Sequence, residues 1–157
     1  CGCGKSHIGA AFAEATGGMY IDGDDLHPSA NIAKMAQGQP LTDDDRAPWL
    51  DLVGTALANA EEGTVIGCSA LRRIYRDRIR AAVGKPVTFL HLTGSHDVIA
   101  ERLSSRDGHF MPPALLESQI ATLELPDPEE SAISVDIDQS PDAIVAQLLE
   151  ETGENRT

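Results

Sequence analysis

The chain opens on Cys1-Gly2-Cys3-Gly4-Lys5-Ser6, and the reading of these six residues decides the fold. They match the last six positions of G-x-x-x-x-G-K-[ST], a loop whose backbone N–H groups wrap a phosphate at the N-terminus of a helix. Glycine lets the backbone approach the anion. Lys5 would then sit against the β- and γ-phosphates of a nucleotide, and the Ser6 hydroxyl would ligate the Mg²⁺ that bridges them. The first Gly of the motif and the strand that normally precedes it are expected upstream of residue 1. A Gly-rich turn without function is the competing reading, and the pattern that follows weighs against it. Ile8, Ala11, Phe12 and Ala15 recur at helical spacing and Gly17-Gly18 supplies a stop, so a helix is predicted from Lys5 to Thr16.

Outward from this loop, strands and helices alternate. Met19-Tyr20-Ile21 is a short apolar run that ends in Asp22-Gly23-Asp24-Asp25, a buried strand with carboxylates at its C-terminal end, where open α/β sheets bind ligands. Ser29 to Gln37 reads as a short helix closed by Gly38, and Pro48 as the start of a longer one carrying Leu50, Val53 and Leu57 and ended by Gly63. Strands are predicted at Thr64–Cys68, Val87–Leu92 and Ala132–Ile137, and helices at Leu71–Ala82, His96–Arg106, Leu115–Leu123 and Asp142–Glu151. The segment Asp107–Pro113 breaks periodicity and reads as a mobile loop. This alternation predicts an α/β fold, a three-layer arrangement of a parallel sheet with helices on both faces. One domain over 1–152 is expected, with an acceptor-binding region at about 24–62, a lid at about 103–122 and a tail at 153–157.

The composition narrows the class. With 157 residues there is room for one core, and no apolar run approaches the roughly 18 residues that span a bilayer. A secretory signal pattern is missing, so a cytoplasmic location is expected. A net charge of −13 argues against nucleic acid and anionic membrane as partners, since both demand a basic face. The few cations gather in segments, Arg72 to Arg80 above all, and either focus a field on an anionic ligand or form a solvated helix face. Three cysteines fit reduced thiols better than a disulfide framework. Cys1, Cys3, His7 and Cys68 can be drawn as a zinc site, but the C-x-C spacing is tight for one tetrahedral ion. Cys3, facing a helix N-terminus, is a candidate for enhanced thiolate character.

Asp22 and Asp24 lie near where the metal and the γ-phosphate are expected. Asp22 could hold the metal through water while Asp24 accepts the proton of an attacking hydroxyl; the alternative is an acidic turn with Asp25 as a helix cap.

At Asp22-Gly-Asp-Asp-Leu-His-Pro28 the sequence becomes familiar. With Asn31–Met35, Gly38–Leu41, Asp43–Leu50, Cys68–Asp77, Arg102–Met111, Ser118-Gln119, Leu123-Glu124 and Val135–Gln139, it resembles the bacterial gluconokinase family along nearly its whole length. The resemblance implies a P-loop fold of the nucleoside-monophosphate-kinase-like type, with a five-stranded parallel sheet and a lid. It implies an enzyme that uses ATP and Mg²⁺ to phosphorylate D-gluconate, and a homodimer. The ATP site it implies is Cys1, Gly2, Cys3, Gly4, Lys5, Ser6, His7, Arg102 and Arg106, with Lys5, Asp24 and Arg106 catalytic. Asp24 would be the base near the 6-hydroxyl and Arg46 a bidentate partner of the gluconate carboxylate. His27, Arg76, His109 and Gln119 would touch the sugar acid or the transferred phosphate. In the lid, Arg102 would cover the adenine and Arg106 reach the phosphates on closure. His7 and the two loop cysteines depart from the family's usual small or hydroxylated residues.

Two competitors stay open. A shikimate or nucleoside-monophosphate kinase would share fold, loop and lid but read a different acceptor, so His27 to Trp49 is the discriminating region. A catalytically idle nucleotide-binding module would have no need of an acceptor pocket.

Overall fold

The computed structural model describes residues 5–70, 72–95, 97–98, 121 and 123–153. In chain order the described elements are α1 (Lys5–Thr16), β1 (Tyr20–Asp22), a 3-10 turn (Gly23–Leu26), α2 (Ser29–Ala36), α3 (Asp43–Asn59), β2 (Val65–Gly67), α4 (Arg73–Val83), β3 (Phe89–Thr93), a second 3-10 turn (Pro128–Glu130), β4 (Ala132–Asp136) and α5 (Pro141–Thr152). Both strand pairs, β1 with β2 and β3 with β4, are parallel. Parallel pairing requires a crossover between partners, and α2 and α3 supply it between β1 and β2.

Alternate residues of the short strands feed two cores. Val65, Leu90, Leu92 and Val135 pack with Ile8 and Phe12 of α1 and Ile144, Val145 and Leu148 of α5. Ile66 and Phe89, one residue out of step, pack with Trp49, Leu50 and Val53 of α3 and Tyr75, Ile79 and Val83 of α4. Since β2 and β3 contribute to both clusters, the strands form the middle of three layers, as the sequence predicts for a sheet covered on both faces.

The element boundaries carry three corrections. Pro48 does not begin α3; it lies inside the helix, where it removes the hydrogen bond to the turn before it. The true start is Thr42, whose side chain accepts from Asp45 N while the Asp45 carboxylate accepts from Thr42 N, a capping box followed by three acidic residues in the first turn. Nor does Gly63 end that helix, which stops at Asn59; Gly63 serves the following turn with φ of +90°. Asp25 is not the cap of the acidic turn. Asp22 caps it, accepting from Asp24 N at 3.0 Å. The helix expected at 96–106, the loop at 107–113 and the helix at 115–123 lie almost wholly outside the described residues.

Candidate active site

The C-terminal ends of β1 and β2, the first turn of α1 and the first turns of α3 converge on one place. Asp22 pairs with Gly67 at the last register position of β1 and β2. Immediately after it the chain turns, and the Asp22 carboxylate accepting from Asp24 N fixes that turn. The indole of Trp49, from the middle of the crossover helix α3, donates from Nε1 to the Gly23 carbonyl at 2.8 Å and ties the turn to α3. Lys5, opening α1, brings its Nζ to 3.8 Å from Asp24 Oδ2. Ser6 follows Lys5 in that first turn, and His7 lies on the exposed side of α1.

His27 closes the turn and stacks on Trp49, ring centroids 4.0 Å apart and planes within 16°. Its Nδ1 lies 3.2 Å from Asn31 Nδ2, which also donates to the Asp45 carbonyl at 2.9 Å. An amide nitrogen only donates, so Nδ1 must accept, and the neutral ring carries its proton on Nε2. Burial pushes the His27 pKa down; Asp24 opposes this, while Arg46 and Lys5 add to it. His27 is therefore neutral at pH 7, with Nε2–H as a donor. The same four groups, Lys5, Asp24, His27 and Arg46, thus lie within each other's electrostatic reach around His27.

Arg46 lies on the first turns of α3 and is 8% exposed, and among the described residues no carboxylate pairs with it directly. Its Nη1 donates to the Tyr75 hydroxyl at 2.9 Å, and its guanidinium sits 5.1 Å from the centre of the Tyr75 ring. Tyr75 in turn donates to Asp43, and Arg72 Nη1 holds the other Asp43 oxygen at 2.8 Å. Arg72 Nε continues to Glu124 at 3.3 Å. Tyr75 and Arg72 hold the Asp43 carboxyl below the usual range, and burial raises the Tyr75 phenol, so Tyr75 stays protonated and donates. On the other side of α3, Lys34 meets Asp45 at 2.7 Å and, with Thr42 N, holds the Asp45 carboxyl down to about 2.

Arg76 belongs elsewhere than expected. The sequence reading gives it to the sugar acid, but its Nε and Nη2 donate to the two oxygens of Glu130 at 2.7 and 3.1 Å and Nη1 to the Ala70 carbonyl at 2.9 Å. Arg76 is 3% exposed and Glu130 is 2% exposed. A guanidinium with three donors committed inside the protein is a structural anchor between α4 and the turn before β4. Arg73, Arg78 and Arg80 also meet carboxylates, so the Arg72 to Arg80 series resolves into ion pairs along α4.

Cys1, Gly2, Cys3, Gly4, Arg102, Arg106, His109 and Gln119 lie outside the described residues. Among the predicted site residues within them, Lys5, Asp24, His27 and Arg46 come together, with Asp22 shaping the turn beneath. Cys68 packs against the α3–α4 core, and burial pushes its thiol up to about 12, which leaves it an unreactive thiol at neutral pH. Sequence reasoning missed Asn31, Trp49 and Tyr75 as site-building residues. The signal was there in part: Asn31 is four residues after His27, and Tyr75 is the polar-tipped member of an apolar stripe with Ile79 and Val83.

A family model described as shikimate kinase matches residues 1–152. The chain is 44% identical over 151 residues to the gluconokinase of Gluconobacter oxydans, spanning 94% of this chain and 84% of that protein. It is 42% identical over 154 residues to the thermoresistant gluconokinase of Escherichia coli, spanning 95% and 87%. The crystal structure of a gluconokinase from Sinorhizobium meliloti superposes with a TM-score of 0.85 at 46% identity, spanning 98% of this chain and 91% of that one.

Proposed function

The chain belongs to the gluconokinase family, a shikimate-kinase-like group of phosphotransferases, and from that premise we propose that it moves the γ-phosphoryl group of ATP to the 6-hydroxyl of D-gluconate, giving 6-phospho-D-gluconate. The observation that carries the acceptor is Arg46. A buried guanidinium is stable only when its charge is answered, and among the described residues this one reaches a carboxylate only through the Tyr75 hydroxyl. Its remaining donors suit a planar carboxylate on the ligand, which gluconate has and a neutral sugar lacks. The neutral His27, donating from Nε2, suits a hydroxyl of the same chain-like acid.

In this reading Asp24 accepts the proton of the attacking 6-hydroxyl. Lys5, 3.8 Å from Asp24 across the turn, holds the phosphate being transferred and balances the charge that develops on it. The Ser6 hydroxyl and the Asp22 carboxylate, both neighbours of the Tyr20 hydroxyl, are oxygen donors of the kind a hard divalent cation takes, so the residues present fit Mg²⁺. When bound, Mg²⁺ neutralises phosphate charge; Ser6 would hold it directly and Asp22 through water. The loop 1–4, Arg102, Arg106, His109 and Gln119 complete the nucleotide and acceptor sites on the strength of the family resemblance, which also supports a homodimer and a cytoplasmic location. Among the described residues no helix is long and apolar enough to cross a membrane.

The test is ADP release coupled to a spectrophotometric readout, with gluconate, shikimate and nucleoside monophosphates offered in turn. Gluconate alone should raise the rate above the buffer blank. A rate with gluconate equal to the blank would remove the proposal, and a rate with shikimate would replace it.

A further inference from the structure

Tyr20 opens β1 at the end of the strand away from the site, yet its hydroxyl reaches the site. It is paired in register with Val65, while a Cβ placed on Gly67, two residues further along β2, would overlap the Tyr20 hydroxyl. The ring therefore runs along the α1 face of the sheet towards the strand ends. On its other side it presses on α1, where a Cβ on Gly9 would come within 2.5 Å of Cε2. Two positions that carry no side chain, one on the helix and one on the strand, make the channel that this phenol fills. The hydroxyl at its end is buried and makes no hydrogen bond within the described residues. Ser6 precedes Gly9 by one helical turn on the same side of α1, which makes it the side chain placed to hydrogen-bond this hydroxyl, while Asp22, Lys5 and Asp24 act on it by charge. Burial dominates and raises the phenol above its usual range, so it remains a neutral hydroxyl.

A buried hydroxyl with no partner works against the fold unless something satisfies it. A phenylalanine would fill the same channel without that cost. We propose that Tyr20 is a positioning residue for Ser6: its oxygen accepts the Ser6 O–H proton when the metal nucleotide is bound and so turns the Ser6 lone pairs towards the cation. Ser6 carries one hydrogen and two lone pairs, and only a lone pair can ligate a metal. Giving the hydrogen a fixed acceptor removes the rotamers in which it would face the cation. The inference rests on the reading of Ser6 as a metal ligand.

Tyr20→Phe removes the hydroxyl and keeps the ring in its channel. Calorimetric titration should show ADP with Mg²⁺ binding about three- to ten-fold more weakly than to the wild type. ADP in the presence of a chelator should bind both proteins equally, and the ligand-free variant should melt no lower than the wild type. A tyrosine that only packs would leave the Mg²⁺ dependence of ADP binding unchanged in Tyr20→Phe, and that result overturns the proposal. Ser6→Ala separates the two layers of the argument. If Ser6→Ala loses the Mg²⁺ dependence and Tyr20→Phe retains it, the positioning role alone fails. If Ser6→Ala retains it, Ser6 is not a metal ligand and the proposal falls with that reading.

Discussion

On the side we assign to the acceptor, His27, Asn31, Arg46, Trp49 and Tyr75 each bond another protein group, and the chain of contacts runs from the turn after β1 through α2 and α3 to α4. On the side we assign to the phosphates, Lys5 stands 3.8 Å from a half-exposed Asp24, and the buried Tyr20 hydroxyl has only Ser6 as a hydrogen-bonding neighbour within the described residues. The acceptor wall is held in place by the protein itself, with little left to rearrange on binding. The phosphate side has polar groups whose natural partners are the anion and cation they would meet, so its order depends on ligand. Specificity for a flexible sugar acid requires the first arrangement, because a loose pocket would spend binding energy on ordering itself. Charge stabilisation during transfer requires donors free to close on the phosphate.

The most severe way to break this contrast is to attack the frame behind the acceptor wall. Glu130→Gln leaves Arg76 buried with half its partner, and urea unfolding at pH 7 should show a loss of about 3–5 kcal/mol. The Arg76 guanidinium holds the Glu130 carboxyl down to about 2, against an ordinary 4.5. The unfolded chain takes up that proton first as the pH falls. The stabilisation is therefore complete above about 4.5 and lost as pH drops from there towards about 2, and the variant should lack that part of the wild-type acid slope.

Lys5→Ala tests the phosphate side, and should lower kcat by about 10²–10³ whatever the acceptor, with the KM for gluconate little changed. Arg46→Ala tests the acceptor side and should do the reverse, raising the KM for gluconate about 10- to 100-fold with a smaller change in kcat. If both variants alter the same parameter, the two sides are not separate. The smallest effect sharpens the comparison most: Tyr75→Phe keeps the ring under Arg46 but removes its hydrogen-bond acceptor, and should raise the KM for gluconate about three- to ten-fold while ADP binding is unaltered.

The layers of the fold were legible because apolar runs bounded by Gly and Pro mark buried strands, and the turn carrying Asp22 and Asp24 was legible because it follows such a run. The start of α3 differs from the expected one because Pro48 is a strong local signal for a first turn, whereas Thr42 and Asp45, six and three residues before it, form the box that starts the helix. The anchoring of Arg76 was illegible for a different reason. Its partner Glu130 is 54 residues away, and no pattern of spacing links them. Asp24 is nominated by its place just past a strand beside the loop, and Arg46 and His27 by the family's motif, but the geometry adds what both lack: which ring nitrogen of His27 carries the proton, and that Arg46 leans on Tyr75. Tyr20 reads only as part of an apolar run, since nothing in Met19-Tyr20-Ile21 reveals that Gly9 leaves space for its ring and Gly67 for its hydroxyl.

The stack of His27 on Trp49 has an optical consequence. Trp49 is the chain's one tryptophan, 1% exposed, with the imidazole 4.0 Å from its ring centre. An imidazolium draws electron density from an excited indole far more readily than a neutral imidazole does, so protonating His27 dims the emission while the neutral ring leaves it bright. The lowered pKa keeps the bright form at neutral pH. The protein thus carries an unlabelled fluorescent gauge whose indole reads out, by intensity alone, the protonation state of His27.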